Sequence, residues 1–255
     1  MAEKTSKKIR SLPTEQRVIY PESDGKPMAE TDIHRNLMIE IIEILNDWFK
    51  NRPDVYVSGN LLLYYQEGQP KKSVAPDVFV ALGVEKAARR TYRLWEEGKG
   101  PDFVLELASE STYRHDLGEK KDLYAQVLGV KEYYLYDPDG QYLPSPLLGF
   151  RLAGETYTPI QPVGNRLPSL TLGLELGEVA GKLRVYAPHK KDWLLKPVEE
   201  AEARVQQEFM ARQEAEAKAQ QEARARQRAE ARANQAEAEL IRLRAELERL
   251  RTTNE

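Results

Sequence analysis

The sequence contains no cysteine, which excludes disulfide bonds, thiolate metal ligands and cysteine nucleophiles. It also contains no apolar run near the ~18–20 residues that a membrane-spanning helix requires. The first residues, MAEKTSKKIRSLPTEQ, lack the apolar centre of a secretory signal peptide. These absences predict an intracellular, cytoplasmic protein without a membrane partner.

Excess charge is also small, because the formal net charge is −3 over 255 residues. This balance excludes a generally basic protein that coats nucleic acid. It does not exclude a nuclease, since a cleft that binds a metal ion is itself acidic. The length is that of one large domain with an appendage, or of two small domains.

Glycine and proline are absent from residues 198–255, where alanine, glutamate, glutamine and arginine dominate. These residues are strong helix formers, so a helical tail is predicted over residues 197–255. Leucines at 3-4-3 spacing near its end indicate a coiled-coil seam, which alanines continue toward the N-terminus. We expect this tail to form a homo-oligomer, specifically a dimer; the alternative is a single solvated helix. The seam residues are Leu240, Leu243, Leu247, Leu250, Ala236, Ala233 and Ala229.

Residues 21–196 are predicted to form an α/β domain that follows a flexible N-terminal arm at residues 1–20. Thr31 can cap a first helix, which the Asn-Arg-Pro-Asp sequence at 51–54 ends. The apolar residues of this helix recur at spacings of three and four, so one face is expected to be buried. They are Ile33, Leu37, Ile41, Ile44, Leu45 and Trp48.

Four β-type runs and a second helix follow the first helix. They give the order αβββαβ, which is typical of a mixed sheet flanked by helices. The third run is apolar throughout, as expected of a strand buried on both faces. Short β-type runs between residues 147 and 193 are predicted to add strands on one edge. The four runs are 55–65, 75–82, 101–109 and 131–138, and the second helix lies within residues 111–130.

Two of these runs each carry one carboxylate. Glu106 lies inside FVLEL, where an ionised carboxylate must be paired, protonated or bound to a metal. Asp77 precedes VFVAL, and if the two strands pair, both acids face one cleft. Two carboxylates and a main-chain carbonyl suit a hard cation such as Mg²⁺. The alternatives are an edge strand with Glu106 in water, and an ordinary turn at Asp77, as is expected for the Pro-Asp at 101–102.

Lys120 lies in the second helix. At 3.6 residues per turn it projects within roughly 25° of the centre of that helix's apolar face. Because a helix rarely directs a lysine into its buried face without a partner, we expect Lys120 to reach the acids. Asp116 and Tyr124, four residues away on either side, are placed to orient it. The alternative is a side chain that extends into water. The apolar face consists of Leu117, Leu123, Tyr124, Val127 and Leu128.

These motifs occur in an order that resembles the Uma2 family of endonucleases, which belongs to the PD-(D/E)xK restriction-endonuclease-like superfamily. The resemblance covers about residues 20–190 and not the tail, and it implies the same αβββαβ core. The motifs are YPESDGKPMAETDIH, GNLLLYY, VAPDVFVALG, YRLWEEGKGPDFVLELASEST and HDLGEKKDLYAQVLGVKEYYLYDP.

The resemblance assigns Asp77 to the Pro-Asp motif and Glu106 to the (D/E)xK motif. Together they would hold Mg²⁺, with Mn²⁺ as the alternative ion and the Leu107 carbonyl as a further ligand. The lysine expected two residues after the glutamate is replaced by Ala108, and in similar sequences it is displaced to the helix, here Lys120. The implied activity is Mg²⁺-dependent hydrolysis of DNA phosphodiester bonds, in which Lys120 stabilises charge on the attacking water and the phosphate.

Other polar residues carry weaker predictions. Glu40 on the first helix is a candidate supporting acid, although a solvated helix face is favoured. The basic segment 86–93 and Lys71–Lys72 are candidates for phosphate contacts, or are solvated surface. The histidines show no zinc spacing, and none is predicted to be a ligand. They are His34, His115 and His189.

A competing hypothesis is a non-enzymatic interaction protein that keeps a nuclease-like scaffold and associates through its coiled coil. Ala108 and the negative net charge of the chain favour this hypothesis, whereas Asp77, Glu106 and Lys120 together favour the enzyme.

Overall fold

The computed structural model describes residues 18–23, 25 and 31–253, with side chains up to residue 245. Most of the predicted N-terminal arm, residues 1–17, and the seam side chains of Leu247 and Leu250 therefore lie outside the described part. The chain divides into two compact units, Met1–Pro197 and Val198–Glu255. No helix of the described ranges is long and apolar enough to cross a membrane.

The first unit is a mixed α/β domain that begins with helix α1, Asp32–Trp48. Thr31 caps it, because its side chain accepts a hydrogen bond from the backbone N–H of His34 at 3.2 Å. Of the predicted apolar face, Ile41, Ile44 and Leu45 are buried and Leu37 and Trp48 are partly buried. Ile33 is 61% exposed. The buried residues of the helix are His34, Met38, Ile41, Ile44 and Leu45.

Strands, three short α-helices and one π-helical turn follow α1 in the described part of this unit. The strands are β1 (Val55–Ser58), β2 (Leu63–Tyr64), β3 (Ser73–Val74), β4 (Val78–Leu82), β5 (Tyr92–Arg93), β6 (Phe103–Leu107), β7 (Glu132–Tyr136), β8 (Leu147–Ala153), β9 (Thr156–Pro159), β10 (Arg166–Ser169), β11 (Leu174–Val179), β12 (Lys182–Ala187) and β13 (Asp192–Trp193). The helices are α2 (Leu94–Glu97), α3 (Tyr113–Leu117) and α4 (Glu119–Asp122). Helix α5 (Pro197–Thr253) starts at the last residue of the first unit and continues through the described part of the second.

The central sheet has the strand order β1-β4-β6-β7-β8-β9. Only β6 and β7 are parallel, and the other neighbours are antiparallel, so the sheet is mixed. All five residues of β6 are buried, because β4 and β7 flank the strand and both of its faces are covered. One face packs against α1 and the sheet β10-β11-β12-β13, and the other packs against the segment that follows β6.

That segment is not the single regular helix that the sequence predicts. Gly118, with φ −113° and ψ −102°, separates α3 from α4. A π-helical turn, Leu123–Val127, follows α4, and the N–H of Leu128 donates to the carbonyl of Leu123 at 3.1 Å. The wider turn rotates the following residues relative to a 3.6-residue period. Val127, which the projection placed on the apolar face, is consequently 54% exposed.

The predicted strand 55–65 is two strands in different sheets, β1 and β2, with Gly59 between them. A Cβ atom on Gly59 would lie 2.0 Å from the backbone oxygen of Asp77. Glycine therefore permits the close backbone approach that fixes the start of β4.

The Asp102 carboxylate anchors the opposite end of β6 from Glu106. The side chain is 2% exposed, forms ion pairs with Lys99 and Lys131, and accepts a 2.7 Å hydrogen bond from the N–H of Leu82. The turn expected at Pro101-Asp102 thus has a structural acid in it. Burial alone would raise the pKa of Asp102, but the two lysines and the amide outweigh it and lower that pKa.

We predict that Asp102→Asn reduces the free energy of unfolding at neutral pH by about 1–3 kcal/mol, because it removes both ion pairs. Since the folded-state pKa is depressed, this stabilisation exists above the ordinary pKa of 3.8 and is lost as the pH falls through the folded-state value. Urea titrations at neutral and acidic pH measure the difference.

Asp54→Asn is the matched control, because Asp54 pairs with Arg52 on the exposed surface and its loss should change little. A difference between wild type and Asp102→Asn that stays constant into the acid range would contradict the assignment.

Candidate active site

The pairing of β4 with β6 places the two predicted acids side by side. Val78 and Leu105 form the last paired positions, and Asp77 and Glu106 are the next residues on either strand. The N–H of Asp77 lies 3.4 Å from Oε2 of Glu106. The N–H of Leu107 donates to Oδ2 of Asp77 at 2.8 Å.

Glu106 lies in the interior of the sheet and is 1% exposed, so the edge-strand alternative does not apply. Its Oε1 accepts a short hydrogen bond from the Tyr124 hydroxyl and lies 3.1 Å from Nζ of Lys120. Burial raises the pKa of Glu106 to about 8; Lys120 opposes this rise, while the charges of Asp77 and Asp116 add to it. The group can therefore take up or release a proton near neutral pH.

Lys120 connects Glu106 to Asp116. Its Nζ lies 3.1 Å from Oε1 of Glu106 and 3.0 Å from Oδ1 of Asp116, and its side chain is only 17% exposed. Burial by itself would lower the pKa of Lys120, but Glu106, Asp116 and Asp77 outweigh it and raise that pKa. The lysine is therefore an ammonium ion fixed between carboxylates.

Tyr124 contacts Glu106 from within the π-helical turn. Tyr124 is fully buried, and burial together with the nearby Glu106 charge raises the pKa of its hydroxyl well above the usual value. The hydroxyl is therefore a donor at neutral pH. Tyr133 of β7 supports the same segment, because its hydroxyl donates to the backbone oxygen of Asp116 at 2.9 Å. Single π-helical turns are frequent at functional sites.

His34 is a site residue that sequence reasoning missed. Its Nε2 lies 3.2 Å from Oδ1 of Asp77, and its side chain is 9% exposed. Burial would raise the pKa of Asp77, but the His34 contact, Lys120 and the Leu107 amide outweigh it and lower that pKa. The available signal was its spacing, since His34 lies four residues before Met38 on the buried face of α1.

Other candidate residues lie elsewhere. Glu40 pairs with Arg184 at 3.4 Å and Lys196 at 3.5 Å, so it supports α1 and not the site. His115 pairs with Glu119. Within the basic segment the arginines are engaged by acids, and Lys71 and Lys72 are exposed. The arginine pairs are Arg89–Glu97, Arg90–Glu22 and Arg93–Glu96.

The donors at the site fit a hard cation with few protein ligands. In the part of the chain that the structure describes, no three His, Asp or Glu side chains are grouped to hold a metal ion. Mg²⁺ is commonly bound through one or two carboxylates, with waters and substrate phosphate completing its coordination. The adjacent carboxylates of Asp77 and Glu106 match that pattern.

An apolar groove of about 820 Å³ lies along β8 and the residues before β10. It contains none of the acids or the lysine described above. The cluster of Asp77, Glu106, Asp116 and Lys120 is therefore the better candidate for an active site.

The family model of Uma2, described as "Putative restriction endonuclease", matches residues 7–180. The chain belongs to the Uma2 family. The match covers more than half of the sequence and ends before the helical tail, which agrees with the resemblance seen in the motifs.

Among solved structures, the chain is similar to a crystal structure described as a "putative nuclease belonging to DUF820" from Anabaena variabilis ATCC 29413. The identity is 17%, the match covers 60% of this chain and 80% of the other, and the TM-score is 0.44. This similarity is too low to indicate a shared activity. No curated protein matches the chain.

We predict that Glu106→Gln removes a pH-dependent loss of stability. Because the folded-state pKa of Glu106 is raised from 4.5 to about 8, the folded protein binds more protons than the unfolded chain between these values. Wild-type stability should fall as the pH rises through this range. In thermal melts from pH 5 to pH 8, the melting temperature of the variant should rise relative to that of wild type as the pH increases.

Glu67→Gln, at an exposed position, serves as the control and should follow the wild-type curve. Parallel curves for wild type and Glu106→Gln would refute the raised pKa.

Proposed function

We propose that this Uma2 protein is an Mg²⁺-dependent endonuclease that hydrolyses DNA phosphodiester bonds. The observation that supports this function best is the buried Lys120, which bridges Glu106 and Asp116 beside Asp77. A simple ion pair needs one carboxylate, whereas Lys120 contacts two, Glu106 on β6 and Asp116 on α3. Asp77 is adjacent to Glu106 at the start of β4. Perturbed, clustered titratable groups of this kind are typical of functional sites.

Asp77 and Glu106 would hold the ion, with the Leu107 carbonyl as a further ligand and Mn²⁺ as an alternative metal. The N–H of Leu107 faces Asp77, and the N–H and C=O of one strand residue point toward the same neighbouring strand. This strand geometry supports the Leu107 carbonyl as the further ligand beside the two acids. When bound, the metal supplies charge neutralisation for the phosphate and a lower pKa for a coordinated water.

The chain's own residues then hold the reacting groups in place. The His34 imidazole and the Leu107 amide contact different oxygens of Asp77, which restricts rotation of that carboxylate. The Tyr124 hydroxyl fixes one oxygen of Glu106. These contacts preorganise the two acids before any ligand arrives.

Lys120 is the proposed stabiliser of negative charge on the attacking water and the phosphate. Asp116 would keep the Lys120 ammonium at the site even if the Glu106 side chain turned toward a metal, because Lys120 contacts Asp116 and Glu106 separately. The lysine thus replaces, from the neighbouring helix, the one that the superfamily motif has at the position of Ala108.

A second candidate is a non-enzymatic interaction protein that associates through its tail. Helix α5 extends over 57 residues, and the seam residues Leu240 and Leu243 are 56% and 51% exposed. Exposed leucines at coiled-coil spacing favour a partner helix, and we propose a homodimer. Dimerisation is compatible with either function.

We predict that wild-type protein nicks or linearises plasmid DNA with Mg²⁺ or Mn²⁺, and that Asp77→Asn and Lys120→Met each reduce the rate about 100-fold or more. Gel assays of initial rates measure the effect. Controls are Asp54→Asn on the exposed surface and Lys121→Met, whose ammonium lies 3.6 Å from the ring centre of Phe150 and not on the acids.

Equal rates for wild type and both site variants would end the enzyme proposal. They would leave the interaction protein as the better account.

For the tail, we predict that deleting residues 198–255 lowers the oligomeric state without unfolding the α/β domain. Light scattering coupled to size exclusion gives the number of copies per particle, and a thermal melt checks the domain. An unchanged number of copies after deletion would show that the tail does not associate.

A further inference from the structure

A small polar cleft of about 140 Å³ opens beside the acid pair. Its lining includes His34 of α1, Ala108 and Glu110 after β6, and Asp139 and Tyr142 after β7. Since His34 also contacts Asp77, the cleft and the proposed metal site share a wall. Ala108 stands where the superfamily motif has a lysine, and its small side chain leaves this space open.

Buried hydrogen bonds hold the wall that carries Tyr142. The Asp137 carboxylate is 1% exposed and accepts hydrogen bonds from the backbone N–H groups of Asp139, Gly140 and Tyr142. It also accepts one from Leu143 at 3.0 Å. Four amides on one carboxylate fix the loop, so Tyr142 is held in position before any ligand binds.

An aromatic layer extends from the cleft to the surface. The rings of Tyr142 and Tyr113 are stacked, with centroids 5.6 Å apart and planes inclined by 28°. The Arg114 guanidinium lies 5.1 Å from the centre of the Tyr113 ring. Aromatic rings and arginine planes beside one another are the surfaces on which single-stranded nucleic acids stack their bases.

The charges and size of the cleft select which part of DNA it accepts. Glu110 and Asp139 are carboxylates, which repel phosphate but accept hydrogen bonds from the amino groups of bases. A cavity of about 140 Å³ is too small for a duplex, whose paired bases also cannot enter without leaving the stack. The arginines of the basic segment, Arg89, Arg90 and Arg93, are paired with acids, which weakens their contacts with duplex phosphates.

We propose that this cleft binds one unpaired nucleobase against Tyr142, so that the substrate is DNA with unpaired nucleotides beside the bond to be cut. The position of that bond rests on the proposed function. Recognition of the base does not, because it involves neither metal nor cleavage.

Fluorescence anisotropy with the full-length protein in EDTA tests base binding without activity. The probes are a labelled mixed-sequence single strand, the same strand as a duplex, and a strand of the same length made of abasic nucleotides. The single strand should bind at least tenfold more tightly than either of the others, since a base stacked on an aromatic side chain adds to the affinity. Equal affinity for the single and abasic strands, tighter binding of the duplex, or no binding of any probe would overturn the proposal.

Variants locate the binding. Tyr142→Ala should weaken single-strand binding about tenfold, Tyr142→Phe should restore it, and Tyr113→Ala should weaken it less, because Tyr113 supports the ring from outside the cleft. Tyr65→Ala is the control for loss of an aromatic ring, because Tyr65 is a partly buried tyrosine that directly follows β2 and does not line the cleft. Melting curves check that each variant is folded.

Retention of full affinity in Tyr142→Ala would overturn the proposal, whatever the effect of Tyr113→Ala. Base-dependent binding by wild type without any cleavage in Mg²⁺ would instead reject the endonuclease function and keep this inference.

Discussion

Glu106 is a carboxylate in the middle of the central sheet, and the rest of the site follows from that placement. An ionised acid in an apolar interior is costly unless charges and hydrogen bonds compensate it. Lys120 and Tyr124 provide that compensation from the segment after β6. Lys120 and Tyr124 are four residues apart and so lie on one face of this helical segment, which presents both side chains to the same oxygen. The break at Gly118 precedes the pair, and the π-helical turn begins at Leu123.

The acids at the two ends of β6 differ in the direction in which their surroundings shift the pKa. Asp102 is buried at one end, but two lysines and an amide lower its pKa, and the carboxylate is stable as a charge. At the other end the pKa of Glu106 is raised to about 8, because burial and two neighbouring acids outweigh its one ammonium partner. An additional cation would relieve this excess of negative charge. The contrast within one strand is the electrostatic basis of the proposed metal site.

The sequence predicts the residues that meet at the site better than the backbone that carries them. A charge inside FVLEL and a lysine on an apolar helix face each demand a partner, so the meeting of Glu106 and Lys120 follows from burial alone. The π-helical turn leaves no signature in composition, and a fixed 100° projection consequently misplaces Val127. His34 and Asp102 were missed because their partners, Asp77 and Lys131, are distant in sequence. Packing of α1 on the sheet brings His34 to Asp77, and the pairing of β6 with β7 brings Lys131 to Asp102.

Diffraction from crystals soaked in Mn²⁺ tests the central claim most directly, because the anomalous signal locates the ion without reference to activity. The account predicts an anomalous peak between the carboxylates of Asp77 and Glu106, with the Lys120 ammonium still on Asp116. Crystals that bind Mn²⁺ elsewhere and leave this position empty, or that bind none at saturating concentration, would contradict it.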